Sequence, residues 1–248
     1  MTRDIQLSIV GHLHQVAAER HRRECSPMLK AAVQAVKLYQ QERFSLTYAD
    51  LLTSSRYGKA AHFFLEELYG PRDFTRRDAQ FSRVIPALVR LFPAEVTRTV
   101  DTLARLHAVS EQLDSEMGAH LAGVDVEAVT YTKAWQSTGH PDQREIQIAL
   151  TLDVGAAMDR FTRKPLLRHT LRMMRGAANA AGLGELQRFL EAGFDAFKAM
   201  NGADDFLSFI ARRERQFVQS LFAAEVPLGG HSNLPQNLRV ASTDDHAG

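Results

Sequence analysis

Every Asp, Glu, Lys and Arg position from Arg160 to Arg175 is occupied by a basic residue, and we call this segment the basic run. Three of its arginines are spaced by four and three residues, so on a helix they share one face: Arg168, Arg172 and Arg175. Such a stripe is suited to an acidic protein partner or an anionic ligand, because neighbouring guanidinium groups can donate to the same negative surface. The alternative interpretation is a solvated face whose arginines pair with acids elsewhere in the fold.

A second cluster of arginines surrounds the Gly70-Pro71 break and the start of the following helix. Its basic members are Arg72, Arg76 and Arg77, and Asp78 closes the segment. The free N–H groups at a helix N-terminus add to the positive charge of the arginines, which indicates a site for an anion or a charged partner. Alternatively, the arginines and acids form ion pairs that only fix the turn.

Histidine and glutamate recur at a spacing that places both side chains on one helix face. The pairs are His62 with Glu66, His107 with Glu111, and Glu116 with His120. The first and third pairs could together present two imidazoles and two carboxylates to a metal ion. However, neither the paired Glu-x-x-His motif of di-iron proteins nor His-Glu-x-x-His occurs, so pairing on the surface is the favoured alternative.

Small residues are abundant between Met173 and Gly182, where they leave room for a flat ligand or for close helix packing. His12 and His14 could each supply an axial ligand to haem in a globin-like or haem-oxygenase-like helical fold. This hypothesis is an analogy of architecture. The second functional hypothesis is therefore that the protein carries a cofactor or a small ligand.

Composition excludes several classes of protein. The 248 residues carry a formal net charge of +1 and are 45% hydrophobic, so a strongly basic nucleic-acid-binding protein is not indicated. The single cysteine, Cys25, excludes an intramolecular disulfide framework, and no Gly-x-Ser-x-Gly or phosphate-loop motif is present. No apolar run is long enough to span a membrane, and Asp4 and His12 interrupt any signal-like stretch; we therefore expect a cytoplasmic protein.

Apolar residues recur every three or four positions along most of the chain, whereas strand patterns are nearly absent. This periodicity predicts an all-α fold, a single bundle of about nine or ten helices without a sheet. The helical domain is expected over residues 1–225, with a loop over Tyr39–Thr53 and a disordered tail over 226–248. The preferred function is a non-enzymatic binding protein that uses one of the two arginine clusters; the alternatives are a haem-type carrier and a metal-dependent enzyme.

Overall fold

A computed structural model of the chain describes residues 2–67 and 75–225, which contain eleven α-helices and no strand. The helices are α1 (Thr2–Glu24), α2 (Pro27–Thr47), α3 (Ala49–Leu52), α4 (Gly58–Glu67), α5 (Thr75–Leu91), α6 (Ala94–His120), α7 (Ala128–Thr138), α8 (Pro141–Thr162), α9 (Pro165–Ala180), α10 (Gly184–Met200) and α11 (Asp204–Ala223). The prediction of an all-α fold with about ten helices is confirmed. The predicted tail, 226–248, lies outside the described residues.

The predicted loop over Tyr39–Thr53 is instead mostly helical. Helix α2 continues to Thr47, and the short α3 follows it directly. Phe44 and Tyr48 stand four residues apart, their rings 4.4 Å from centroid to centroid, and both are almost fully buried. The helical register is therefore set by core packing, which overrides the weak local preference of these aromatic residues for a helix.

Helix α6 lies at the centre of the bundle, where it packs against α1, α2, α7 and α8. One hydrophobic cluster joins α2, α6, α7 and α11 and includes Tyr39, Met117, Tyr131, Trp135 and Leu221. A second cluster, rich in phenylalanine, joins the other end of α2 to α3, α4, α10 and α11 and includes Phe44, Leu51, Phe64, Phe197 and Phe206. Both clusters include residues of α2 and α11, so these two helices link the packing around α6 to that of α4 and α10.

A glycine permits the close approach of α2 to α6. A Cβ atom placed on Gly118 would lie 2.5 Å from Cγ2 of Val33 and 3.2 Å from the Val33 backbone nitrogen. A distance of 2.5 Å is shorter than any real Cβ contact. The contact at 3.2 Å involves a backbone atom, which cannot move aside by a change of rotamer as a side chain can. The two helix axes could not remain this close with any other residue at position 118.

We predict that Gly118→Ala lowers the free energy of unfolding by about 1–3 kcal/mol, because α2 and α6 must separate to admit the methyl group. The matched control is Gly11→Ala on α1, where the new Cβ meets no atom within 4 Å. That control should leave stability unchanged or raise it by up to about 1 kcal/mol through helix propensity. Urea unfolding measures the free energy of unfolding of each variant. Equal values for the two variants would contradict the close contact between α2 and α6.

Candidate functional site

Two of the three stripe arginines on α9 form ion pairs with α10. Arg168 donates from Nη2 to Oδ1 of Asp195 at 2.6 Å, and Arg175 donates from Nε and Nη2 to the two carboxylate oxygens of Glu191 at 3.0 and 2.8 Å. These hydrogen bonds from Arg175 hold the pKa of Glu191 below its ordinary value. The third arginine, Arg172, is exposed and forms no salt bridge with any described residue.

The N-terminal part of the basic run is paired in the same way. Arg163 donates to Asp159 at 2.6 Å, and both Arg160 and Lys164 contact Glu95 on α6, at 3.3 and 2.5 Å. The pairs with Glu95 are exposed to solvent and contribute little to stability, whereas Asp159 is itself buried. Their consequence is electrostatic: most of the basic run is neutralised within the protein, as the alternative interpretation of the stripe expected.

Helix α9 exposes large apolar side chains on its outer side. Leu166 and Met173 are 79% and 70% exposed, and Met174 is 44% exposed. The helix packs against α10 and α8, and its partly buried Leu167 and Leu171 belong to that interface. The outer side is therefore an apolar surface that no described part of the chain covers.

The second arginine cluster is only partly described, since Arg72 lies outside the described residues. Arg76 is largely exposed and lies 3.3 Å from Glu185 of α10. Arg77 is mostly buried and lies 3.4 Å from Glu67 at the end of α4. The described arginines of this cluster thus connect α5 to two neighbouring helices.

The residues of the metal hypothesis lie on two different helices, His62 and Glu66 on α4, Glu116 and His120 on α6. His62 and His120 are exposed, and Glu116 lies 3.5 Å from His140. Among the described residues, no group of three or more His, Cys, Asp or Glu side chains could hold a metal ion. The fold therefore does not bring the two pairs together into one ligand set.

The histidines of the haem hypothesis lie on α1, outside the core. His14 is exposed, and Nδ1 of His12 lies 3.3 Å from Oε1 of Gln15 on the same helix. The small residues from Met173 to Gly182 fall on α9 and the turn that follows it, and most of them are exposed. The haem hypothesis stays a prediction.

A buried group of charged residues between α1, α2 and α6 was missed by the sequence analysis. Glu111 accepts hydrogen bonds from Nη2 of Arg23 and, at 2.6 Å, from Nζ of Lys37. Lys37 lies 3.5 Å from Asp114, and Arg23 also donates to Oγ of Ser115 at 3.1 Å. Both carboxylates are buried, so each must be compensated by these partners.

The same face of α6 continues toward α5. Asp78 accepts a hydrogen bond from Nη2 of Arg20 at 2.5 Å, and its Oδ2 lies 2.8 Å from Nε2 of His107. Burial acts to raise the pKa of Asp78, but His107 and Arg20 together outweigh it and hold the pKa below its ordinary value. Asp78 thus ties α5 to α1 and α6.

We call this group the charge column. Its members are Arg20, Arg23, Lys37, Asp78, His107, Glu111 and Asp114. At Glu111, burial again acts to raise the pKa, but the charges of Lys37, His107 and Arg23 prevail and lower it to about 2. The carboxylate is therefore ionised at any pH near neutrality, which is the form that its neighbours stabilise.

A sequence signal for the charge column does exist. Along α1 the buried residues Ile9, Leu13 and Val16 follow one another at spacings of four and three, and Arg20 and Arg23 continue the same series. A basic residue on the inward register of an amphipathic helix indicates a buried partner. The spacing of His107 and Glu111 was recognised, but as one of several surface pairs.

The described residues define an all-α protein whose central helix carries buried charges. A family model described as a domain of unknown function, DUF8198, matches residues 19–227, and the chain belongs to this family. No curated protein and no solved structure matches it. Within the described residues, no helix combines the length and apolar character needed to cross a membrane.

The lowered pKa of Glu111 predicts a specific acid sensitivity. The ionised carboxylate stabilises the fold fully above pH of about 4.5, and this contribution is lost as the pH falls toward 2. The shift from 4.5 to about 2 corresponds to a stabilisation on the order of 3 kcal/mol. In Glu111→Gln, we expect lower stability at pH 6 and a weaker further loss between pH 5 and pH 3 than in the wild type.

The matched control is Glu145→Gln, which removes an exposed carboxylate paired with Arg215. This variant should keep the wild-type dependence of stability on pH within about 0.5 kcal/mol, because exposed pairs contribute little. Urea unfolding at several pH values is the measurement. A pH dependence in Glu111→Gln as steep as that of the wild type would contradict the role of the buried carboxylate.

Proposed function

We propose that this chain is a non-enzymatic binding protein that docks an acidic, amphipathic segment of a partner protein on the outer side of α9. We call this surface the α9 face; it consists of Leu166, Arg172 and Met173. The observation that carries the proposal is the exposure of large apolar side chains next to an arginine that has no salt bridge within the described residues. The proposal keeps the cytoplasmic location expected from the sequence.

The apolar part of the α9 face supports docking because its members are grouped. Single exposed apolar residues are common on protein surfaces, whereas neighbouring ones indicate an interaction site. Leu166 and Met173 are separated by seven residues, two helical turns, and therefore lie on the same side of α9. Methionine side chains are flexible and polarisable, which suits them to contact a partner of variable shape.

The charged part of the α9 face indicates the partner's chemistry. Helix α9 contains no acid, and its other two stripe arginines are engaged by α10. A partner segment with carboxylates beside apolar residues would pair with Arg172 while covering Met173. A protein segment is favoured over nucleic acid because the basic run is largely neutralised by Glu95, Asp159, Glu191 and Asp195.

The test is site-specific photo-crosslinking of the full chain in cells that express it. A photoreactive residue replaces Met173 in one variant and Met28 in the control; Met28 is also an exposed methionine, 61% accessible, but lies on α2. We expect a defined crosslinked protein at position 173 and not at position 28. Mass spectrometry should place the crosslink in a segment that combines acidic with apolar residues.

Charge reversal supplies the second arm of the experiment. Arg172→Glu should reduce crosslinking at position 173 at least tenfold, because it replaces attraction by repulsion. The control Arg163→Glu alters an exposed arginine that is paired with Asp159, and it should have a much smaller effect. Equal crosslinking at positions 173 and 28, or crosslinks to segments without acidic residues, would overturn the proposal.

A further inference from the structure

Helix α1 has two faces, and the charge column fixes which of them points outward. Arg20 and Arg23 hold the inner face against α5 and α6, and Ile9 and Leu13 on that face are buried. The opposite face remains exposed to solvent from the first turns of the helix to its end. No described part of the chain covers this outer face.

We call this surface the α1 outer face. Its residues follow one another at alternating spacings of four and three, and all of them are exposed: Leu7, Gly11, His14, Ala18, His21 and Cys25. This spacing keeps them within one narrow strip of the helix surface, which is the pattern of a helix that packs along another helix. None of the six side chains is a carboxylate, a lysine or an arginine.

The glycine in the middle of the α1 outer face is not required by packing within the described residues. A Cβ atom placed on Gly11 would meet no atom within 4 Å. Glycine in a helix interior costs roughly 1 kcal/mol relative to alanine. It does allow the backbone of a second helix to approach closely, as does Ala18 two turns further along. Leu7, one turn before Gly11, is 62% exposed and adds apolar area to the same strip.

The two ends of α1 carry opposite charges that are not engaged within the described residues. Arg3 and Glu24 are both exposed, and neither forms an ion pair with a described residue. With 3.6 residues per turn, both lie along the same edge of the α1 outer face. Two antiparallel copies of α1 therefore bring Arg3 of each copy to Glu24 of the other. A parallel pair would instead place Arg3 beside Arg3 and Glu24 beside Glu24, which is repulsive.

We propose that the α1 outer face binds a second copy of this chain, as an antiparallel pair of α1 helices about a two-fold axis at His14. In this register Gly11 of each copy faces Ala18 of the other. Leu7 likewise faces His21. One register thus satisfies the small residues, the apolar residue and the end charges together, which is the property of an interface between identical chains. The proposal uses no residue of the α9 face, so the two can fail separately.

Analytical ultracentrifugation of the full chain tests the association. A single pair of helices buries less than the roughly 800 Å² per partner of a standard interface, so we expect a reversible monomer–dimer equilibrium. Its dissociation constant should lie at about 1–100 μM. Ala18→Glu should weaken the dimer at least tenfold, because it places a charge at the close approach to Gly11 of the other copy. The matched control, Ala87→Glu on the exposed side of α5, should sediment like the wild type.

Exchange of the end charges tests the orientation of the two helices. Arg3→Glu places two acids together at each end of the antiparallel pair, and Glu24→Arg places two cations there. Each variant should raise the dissociation constant at least about threefold. The double variant restores opposite charges and should return the dissociation constant to within about twofold of the wild type. In a parallel pair, the double variant would not rescue a defect of either single variant.

The only cysteine of the chain, Cys25, reports the geometry independently. In the antiparallel pair the two Cys25 thiols lie about 30 Å apart along the helix axis, too far for a short bis-maleimide to join them. Asp4→Cys places a second thiol next to Cys25 of the other copy, although it lies about 30 Å from Cys25 of its own helix. We expect crosslinked dimer from Asp4→Cys, and only background from the wild type and from the control Ala87→Cys.

Three results would each overturn the proposal. The first is a chain that remains monomeric up to about 1 mM. The second is crosslinking of the wild type through Cys25 as rapid as that of Asp4→Cys. The third is a dissociation constant that is the same for Ala18→Glu and Ala87→Glu. If Ala18→Glu fails to fold, the charge exchange and the crosslinking still decide.

Discussion

The ionised carboxylate of Glu111 between Arg23 and Lys37 is the interaction on which the arrangement of the early helices depends. It joins α1 and α2 to the centre of α6 through hydrogen bonds made almost entirely out of contact with water. A buried charge that loses a partner is strongly destabilising, so this group fixes which faces of the three helices meet. Apolar packing alone would tolerate several rotations of one helix against another.

The charge column lies next to a small cavity between α2, α7, α8 and α11. Gln40 connects them, because its Nε2 donates to Asp114 at 3.2 Å and its side chain also lines the cavity. In the column, Arg20, Arg23 and Lys37 each lie within 4 Å of a carboxylate. The polar contacts of the column thus extend from α1 through α6 to the residues around this cavity.

The fold could be predicted from the sequence because apolar spacing repeats in every long helix, and burying those faces requires only that helices pack together. The helical extension over Phe44 and Tyr48 could not, since it depends on rings and neighbours that are distant in sequence. The ion pairs of Arg168 and Arg175 could not be predicted from the sequence either. Glu191 and Asp195 are four residues apart on α10, and only the antiparallel packing of α10 on α9 brings them to Arg175 and Arg168.

The most direct test of the central claim is a double-mutant cycle between α1 and α6, using Arg23→Met, Glu111→Gln and the double variant. Urea unfolding at pH 7 gives the free energy of unfolding of each protein. If the buried pair fixes the helix arrangement, the coupling between the two substitutions is at least about 2 kcal/mol. A coupling near zero, with the two losses simply adding, would contradict the account.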